Sequence, residues 1–131
     1  NANAAISTGA NLLAPAPYSL TGSGIKVGIW DGGSVLGTHQ ELTGRVTRKN
    51  TSAAYDDHAT HVAGTIAASG VQPAAKGMSP QATINSYDWT SDYSEMTAAA
   101  PVLTGHPAGL LVPNHPYGYN AAPANMGRYK P

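Results

Sequence analysis

The chain has 131 residues, enough for one domain of ordinary size with a real core. Charged residues make up only 11% and the formal net charge is zero, so no basic stripe exists to neutralise phosphates and no nucleic-acid partner is expected. The absence of cysteine removes a disulfide framework, a thiolate nucleophile and a Cys-based zinc site.

Asn1 to Leu13 is rich in Ala, with Ile6, Leu12 and Leu13 as the expected helical contacts. Ala14 to Gly24 reads as loop, because Pro15 and Pro17 fix the backbone while Gly22 and Gly24 loosen it. Ile25 to Trp30 alternates and then runs apolar between turn residues, which predicts a short buried strand with Asp31-Gly32-Gly33 at its carboxyl end. Ser34 to Asp57 is polar and expected to be mostly irregular, apart from a short strand at Gly44-Arg45-Val46-Thr47.

From His58 to Ser69 the period changes. His58, Val62, Thr65, Ile66 and Ser69 recur at three- and four-residue spacing with Ala and Gly between them, the pattern of a slim helix laid against a sheet. Gly64 costs such a helix about 1 kcal/mol of propensity relative to Ala, so a conformational or packing reason for it is expected. Gly77-Met78-Ser79-Pro80 is a turn, and Ala82 to Tyr87 alternates like a second strand. Ser91 to Ala100 is a helix with Ser91 or Ser94 as cap, acidic residues in its first turn and Pro101 as its stop. Leu110-Leu111-Val112 is a third strand, and the Pro-rich tail from Pro113 onward is expected to be irregular. Strand, helix, strand, helix, strand is the order of a parallel α/β sheet. No apolar run approaches the ~20 residues that span a bilayer.

Two stretches carry chemistry. A carboxylate at the end of a buried strand, followed by two glycines, presents one side chain at the carboxyl edge of the sheet, where open α/β sheets bind ligands. Alone, Asp31 would read as a turn or cap residue. His58 opens a helix, where an acid can orient its imidazole while the ring still reaches a cleft. A neutral imidazole accepts a hydroxyl proton and returns it to a leaving group, and a carboxylate on the other ring nitrogen fixes the tautomer. Alone, His58 would read as a cap or packing residue.

Together the stretches resemble the subtilases, the subtilisin-like serine peptidases. In that family an apolar strand ends in Asp, a small residue and Gly, read here as Val27-Gly28-Ile29-Trp30-Asp31-Gly32-Gly33. Its His-Gly-Thr-His-Val-Ala-Gly-Thr motif is matched from His58 to Thr65 with one change, Ala59 for Gly. The resemblance implies that Asp31 orients the imidazole, that His58 is the general base and that His61 is a structural helix residue. Lys76 to Ala82 is similar to the family's turn into its next strand. Val112-Pro113-Asn114-His115-Pro116-Tyr117-Gly118 is similar to its Val-x-Asn-x-Ser-x-Gly segment, which implies substrate-cleft roles for Asn114 and Gly118. Pro116 departs from the family's Ser, and proline offers neither a hydroxyl nor a backbone donor.

The similarity runs from about Gly24 to Gly118, with Ile6 to Leu13 a weaker match to the preceding helix. The expected organisation is the amino-terminal part of a subtilase catalytic domain over 1–131: a leader helix and loop over 1–24, the subtilase-like part over 25–118 and a tail over 119–131. The expected fold is α/β, a partial parallel-sheet subtilisin-like fold with flanking helices that lacks its carboxyl-terminal half. Subtilases place Asp, His and Ser in that chain order. No serine here has the family's Gly-Thr-Ser-Met-Ala context; Ser79 in Gly-Met-Ser-Pro is a turn residue. In subtilisin, loss of the nucleophile costs about 10⁶ in turnover. The chain is therefore expected to be a fragment that is inactive alone and acts on a polypeptide only when completed.

Its expected partners are the remaining carboxyl-terminal half or further copies of itself, because half a sheet leaves an unpaired edge. The resemblance also implies an extracellular location, and calcium, which is common in the family but has no ligand set assignable here. A second reading is a non-catalytic subunit of an extracellular assembly or filament. A third is a metal site built on His58 and His61, three apart on a helix, with Asp56, Asp57, His39, His106 and His115 as further donors, although no recognisable zinc pattern is completed.

Overall fold

A computed structural model describes residues 1–100 and 112–118. Two short helices lead, α1 (Ala2–Thr8) and α2 (Ala10–Leu13), joined at Gly9, whose φ of 77° is the left-handed conformation that glycine adopts without strain. Then come β1 (Lys26–Asp31), β2 (Val46–Arg48), α3 (Asp57–Ala67), a 3₁₀ turn at Pro73–Ala75, β3 (Thr83–Asp88), α4 (Asp92–Ala99) and β4 (Val112–Asn114). The strands form one sheet in the order β2-β3-β1-β4, and every pairing is parallel. The α/β class and the parallel sheet expected from the strand–helix alternation are therefore found.

Strand β1 shows how the sequence positions the site. Its side chains alternate between two layers. Val27 and Ile29 enter a core with Ile84 of β3 and with Ala59, Ala63 and Ala67 of α3. Trp30 points to the other layer, where it packs with Tyr87, Met96, Ala99 and Tyr117. Asp31, two residues after Ile29, returns to the α3 layer at the strand's carboxyl end. The parallel register sets Ile29 beside Ser86 and Asp31 beside Asp88.

Several expectations need correction. The buried stripe of α3 is Ala59, Ala63 and Ala67, small residues that lie between members of the His58, Val62, Thr65, Ile66, Ser69 series; Val62 and Ile66 flank the core, and His58 is exposed. Alanines at four-residue spacing let the helix lie close to the sheet, whereas larger residues there would force it away. Gly64 has no steric reason: a Cβ built there meets nothing within 4 Å. Ile6, Leu12 and Leu13 are exposed at 66%, 68% and 44%, so the leader helices are not held by those apolar contacts. The segment from 34 to 57 is less polar in effect than its composition, since Ser34, Val35, Glu41 and Leu42 are buried in it. The third expected strand is found at Val112–Asn114, so Pro113 and Asn114 pair with β1 instead of opening an irregular tail, while Leu110 and Leu111, Pro101, His106 and residues 119–131 lie outside the described residues.

Candidate active site

Asp31 is 3% exposed, and its carboxylate is held at both oxygens. Oδ1 accepts the Gly32 backbone N–H at 2.8 Å, and Oδ2 lies 2.7 Å from His58 Nδ1. An ionised carboxylate only accepts, so Nδ1 carries the proton and Nε2 is the accepting nitrogen. The carboxylate is buried while the His58 side chain is 55% exposed. The pair thus has a fixed inner end and an open outer end, the arrangement a general base requires.

The imidazole is placed by the start of α3. Asp56 is the N-cap, and its Oδ1 accepts the Ala59 N–H at 2.7 Å, satisfying one of the helix's orphan donors. The segment after Asp31 runs alongside this cap. Ser34 N–H donates to Ala54 O at 2.7 Å and Asp56 N–H to Ser34 O at 2.9 Å, a parallel bridge between the loop after Asp31 and the helix that carries His58. Gly33 makes this approach possible: a Cβ there would stand 2.7 Å from Ala54 O and 2.9 Å from Asp56 Cβ. The second glycine of Asp31-Gly32-Gly33 is therefore a packing requirement.

Among the described residues, one group of three donors could hold a cation, Asp31, Asp56 and His58, whose ligand atoms lie within 4.8 Å of one another. Both Asp31 oxygens, the His58 Nδ1 and the Asp56 Oδ1 are already engaged by hydrogen bonds within the site. The pairing of His58 with His61 is not realised in that group. His39 Nδ1 accepts the Glu41 N–H at 3.3 Å, and His115 stacks on Trp30 in the other layer at 5.0 Å between centroids.

Asn114 is half-buried in β4 opposite Ile29, and Gly118 is exposed. Between them, the His115 ring contacts Met96 Sδ through Nε2 and the Tyr117 hydroxyl through Nδ1. The Tyr117 hydroxyl also donates to Asp92. That bond, with the Tyr93 N–H and the neighbouring His115, holds the Asp92 carboxyl below its ordinary pKa. Sequence reasoning missed this anchoring of the Val112–Gly118 segment, and missed Glu41. The Glu41 carboxylate is buried and accepts the N–H groups of Gln72, Gly70 and Val71 and the Ser69 hydroxyl, so it closes the loop that follows α3.

A strand-borne, buried Asp31 is thus hydrogen-bonded to a helix-borne, exposed His58. A family model described as the subtilase family matches residues 22–126. The chain belongs to the subtilase family. No curated protein matches it. The match covers both motif stretches and the segment from Val112 to Gly118, so the site described above lies within the subtilase region.

Proposed function

We propose that this subtilase chain supplies the acid and base of a serine endopeptidase, Asp31 as the orienting carboxylate and His58 as the general base. The observation that carries this reading is the 2.7 Å contact from His58 Nδ1 to Asp31 Oδ2, with the ring's other side open. The nucleophile is a serine in the family's Gly-Thr-Ser-Met-Ala context, which residues 1–131 do not contain. His58 Nε2 takes the hydroxyl proton as the oxygen attacks the scissile carbonyl, and Asp31 stabilises the imidazolium that forms. The same nitrogen then protonates the departing amine. Water, deprotonated in its turn by Nε2, hydrolyses the acyl-enzyme.

Asn114 and Gly118 line the substrate cleft in this reading, with Pro116 removing one donor that a bound peptide would otherwise use. The 131 residues alone are inactive, and the protein acts outside the cell. The segment that completes it pairs beyond β4, which is the outer strand next to β1 among the described residues. The exposed Val112 on that edge equally suits a packing role in an extracellular assembly without catalysis.

The test is reaction with a serine-directed fluorophosphonate. The chain alone should not be labelled, and the chain joined to a segment bearing the Gly-Thr-Ser-Met-Ala motif should be. A folded, joined pair that stays unlabelled would overturn the enzymatic reading, and a concentration-dependent increase in particle size would then favour assembly.

A further inference from the structure

We infer that the Thr60 hydroxyl is a positioning group that sets the distance between Asp31 and His58. The inference rests on the acid–base reading of that pair. Thr60 lies two residues after the imidazole in α3. Its Oγ1 donates to the Asp56 carbonyl at 2.8 Å and accepts the Leu36 N–H at 2.9 Å. One oxygen therefore joins the cap of the helix that carries the base to the strap that leaves the acid. Four residues separate Asp31 from Leu36, and the last of them is tied to the sheet, where Val35 N–H donates to Ser86 Oγ at 2.9 Å. Ser86 is fully buried and stands beside Ile29 in the strand pairing.

The packing of α3 explains why a hydroxyl is needed. Ala59, Ala63 and Ala67 make a close but smooth contact with the sheet. Small side chains interlock little, so they resist separation better than sliding or rotation about the helix axis. Directional bonds at the amino-terminal end must then fix how far His58 stands from Asp31. The Ser34 bridge constrains the cap from outside the helix, and Thr60 does so from within its first turn. A displacement near 1 Å at a reacting group can cost on the order of 10²-fold in rate.

The test compares Thr60→Val, which keeps the shape and removes the hydroxyl, with Thr60→Ser, which keeps the hydroxyl. The first readout is the low-field imidazole N–H proton of His58 in the NMR spectrum of the 131-residue chain, which needs no serine. Thr60→Val should lose this resonance or raise its solvent exchange by at least about tenfold, while Thr60→Ser retains it. In the Ser-bearing protein, Thr60→Val should lower kcat by about 10- to 10²-fold with KM unchanged. Native resonance and native kcat in Thr60→Val would overturn the inference, as would equal loss in Thr60→Val and Thr60→Ser. Amide exchange of Leu36 in the unmutated chain is a measurement independent of any variant's folding: protection supports the clamp, and free exchange overturns it. If the unmutated Ser-bearing protein is not labelled while Thr60→Val still erases the resonance, the peptidase reading fails and the positioning role stands.

Discussion

Glu95 holds Trp30 from the layer opposite the Asp31–His58 pair. One Glu95 oxygen accepts the Trp30 indole N–H at 3.0 Å, and the other accepts the Asn50 side-chain N–H at 2.7 Å. Trp30 is fully buried and stacks on Tyr87 at 4.2 Å with the rings 7° from parallel. Its neighbour in the strand is Asp31, so the residue that anchors the second layer also braces the strand end that carries Asp31. Glu95→Ala leaves a buried donor unpaired, and a loss of about 1–3 kcal/mol of stability is expected. Thermal unfolding followed by tryptophan fluorescence measures it. An unchanged midpoint would mean that water replaces the carboxylate without cost.

The parts of the fold visible in the sequence are those whose signal is local. The alternation from Ile25 to Trp30, the turn residues that bound it and the His-x-x-His stretch marked β1 and α3 to within one or two residues of their ends. What stayed hidden depends on distant partners. Glu41 sits in a stretch that looks polar and irregular, yet its donors arrive from residues 69 to 72, after a helix of which the sequence shows only the period. The stack of Trp30, Tyr87 and His115 joins residues far apart in the chain, and no spacing rule brings them together. Which face of α3 is buried is not given by its three- and four-residue spacing: the alanines lie closest to the sheet, with Val62 and Ile66 packed beside them.

The glycines of the site region divide into required and optional ones. Gly33→Ala would drive a methyl into Ala54 O and Asp56 Cβ at 2.7 and 2.9 Å, forcing apart the acid's loop and the helix cap. A destabilisation of about 1–3 kcal/mol is expected, together with loss of the His58–Asp31 proton resonance. Gly64→Ala meets open space and should stabilise α3 by about 1 kcal/mol. Chemical denaturation of the two variants should move in opposite directions. A shift of the same sign in both would show that the chain around residue 33 relaxes more easily than its contacts imply.

Glu41 makes the loop after α3 sensitive to acid. The Gln72 N–H, aided by those of Gly70 and Val71 and by the Ser69 hydroxyl, lowers the Glu41 pKa below its ordinary 4.5 against the opposing effect of burial. A carboxyl with a folded-state pKa below its unfolded value contributes stability that is fully present above the unfolded value and is lost as pH falls through the folded one. Stability should therefore be flat near neutral pH and decline below about the unfolded value. Glu41→Gln should reduce stability at neutral pH and flatten the acid decline. Denaturation midpoints collected across that pH range provide the check, and an unaltered acid slope in Glu41→Gln would assign the decline to other carboxyls.

Asp31→Asn separates orientation from charge at the proposed active site. Asn is nearly the same size, so the Gly32 N–H keeps an oxygen acceptor and β1 keeps its end. The amide can also turn its N–H toward His58, which then takes the opposite tautomer, with Nδ1 accepting and Nε2 bearing a proton. Such a ring cannot serve as the base, and no carboxylate remains to stabilise an imidazolium. In serine peptidases this change lowers turnover by about 10⁴ with the geometry intact. In the joined, Ser-bearing protein, labelling by a fluorophosphonate should slow by a comparable factor while thermal stability changes little. Near-native labelling would remove Asp31 from the chemistry, and a collapse of stability would show that its buried charge serves the fold first.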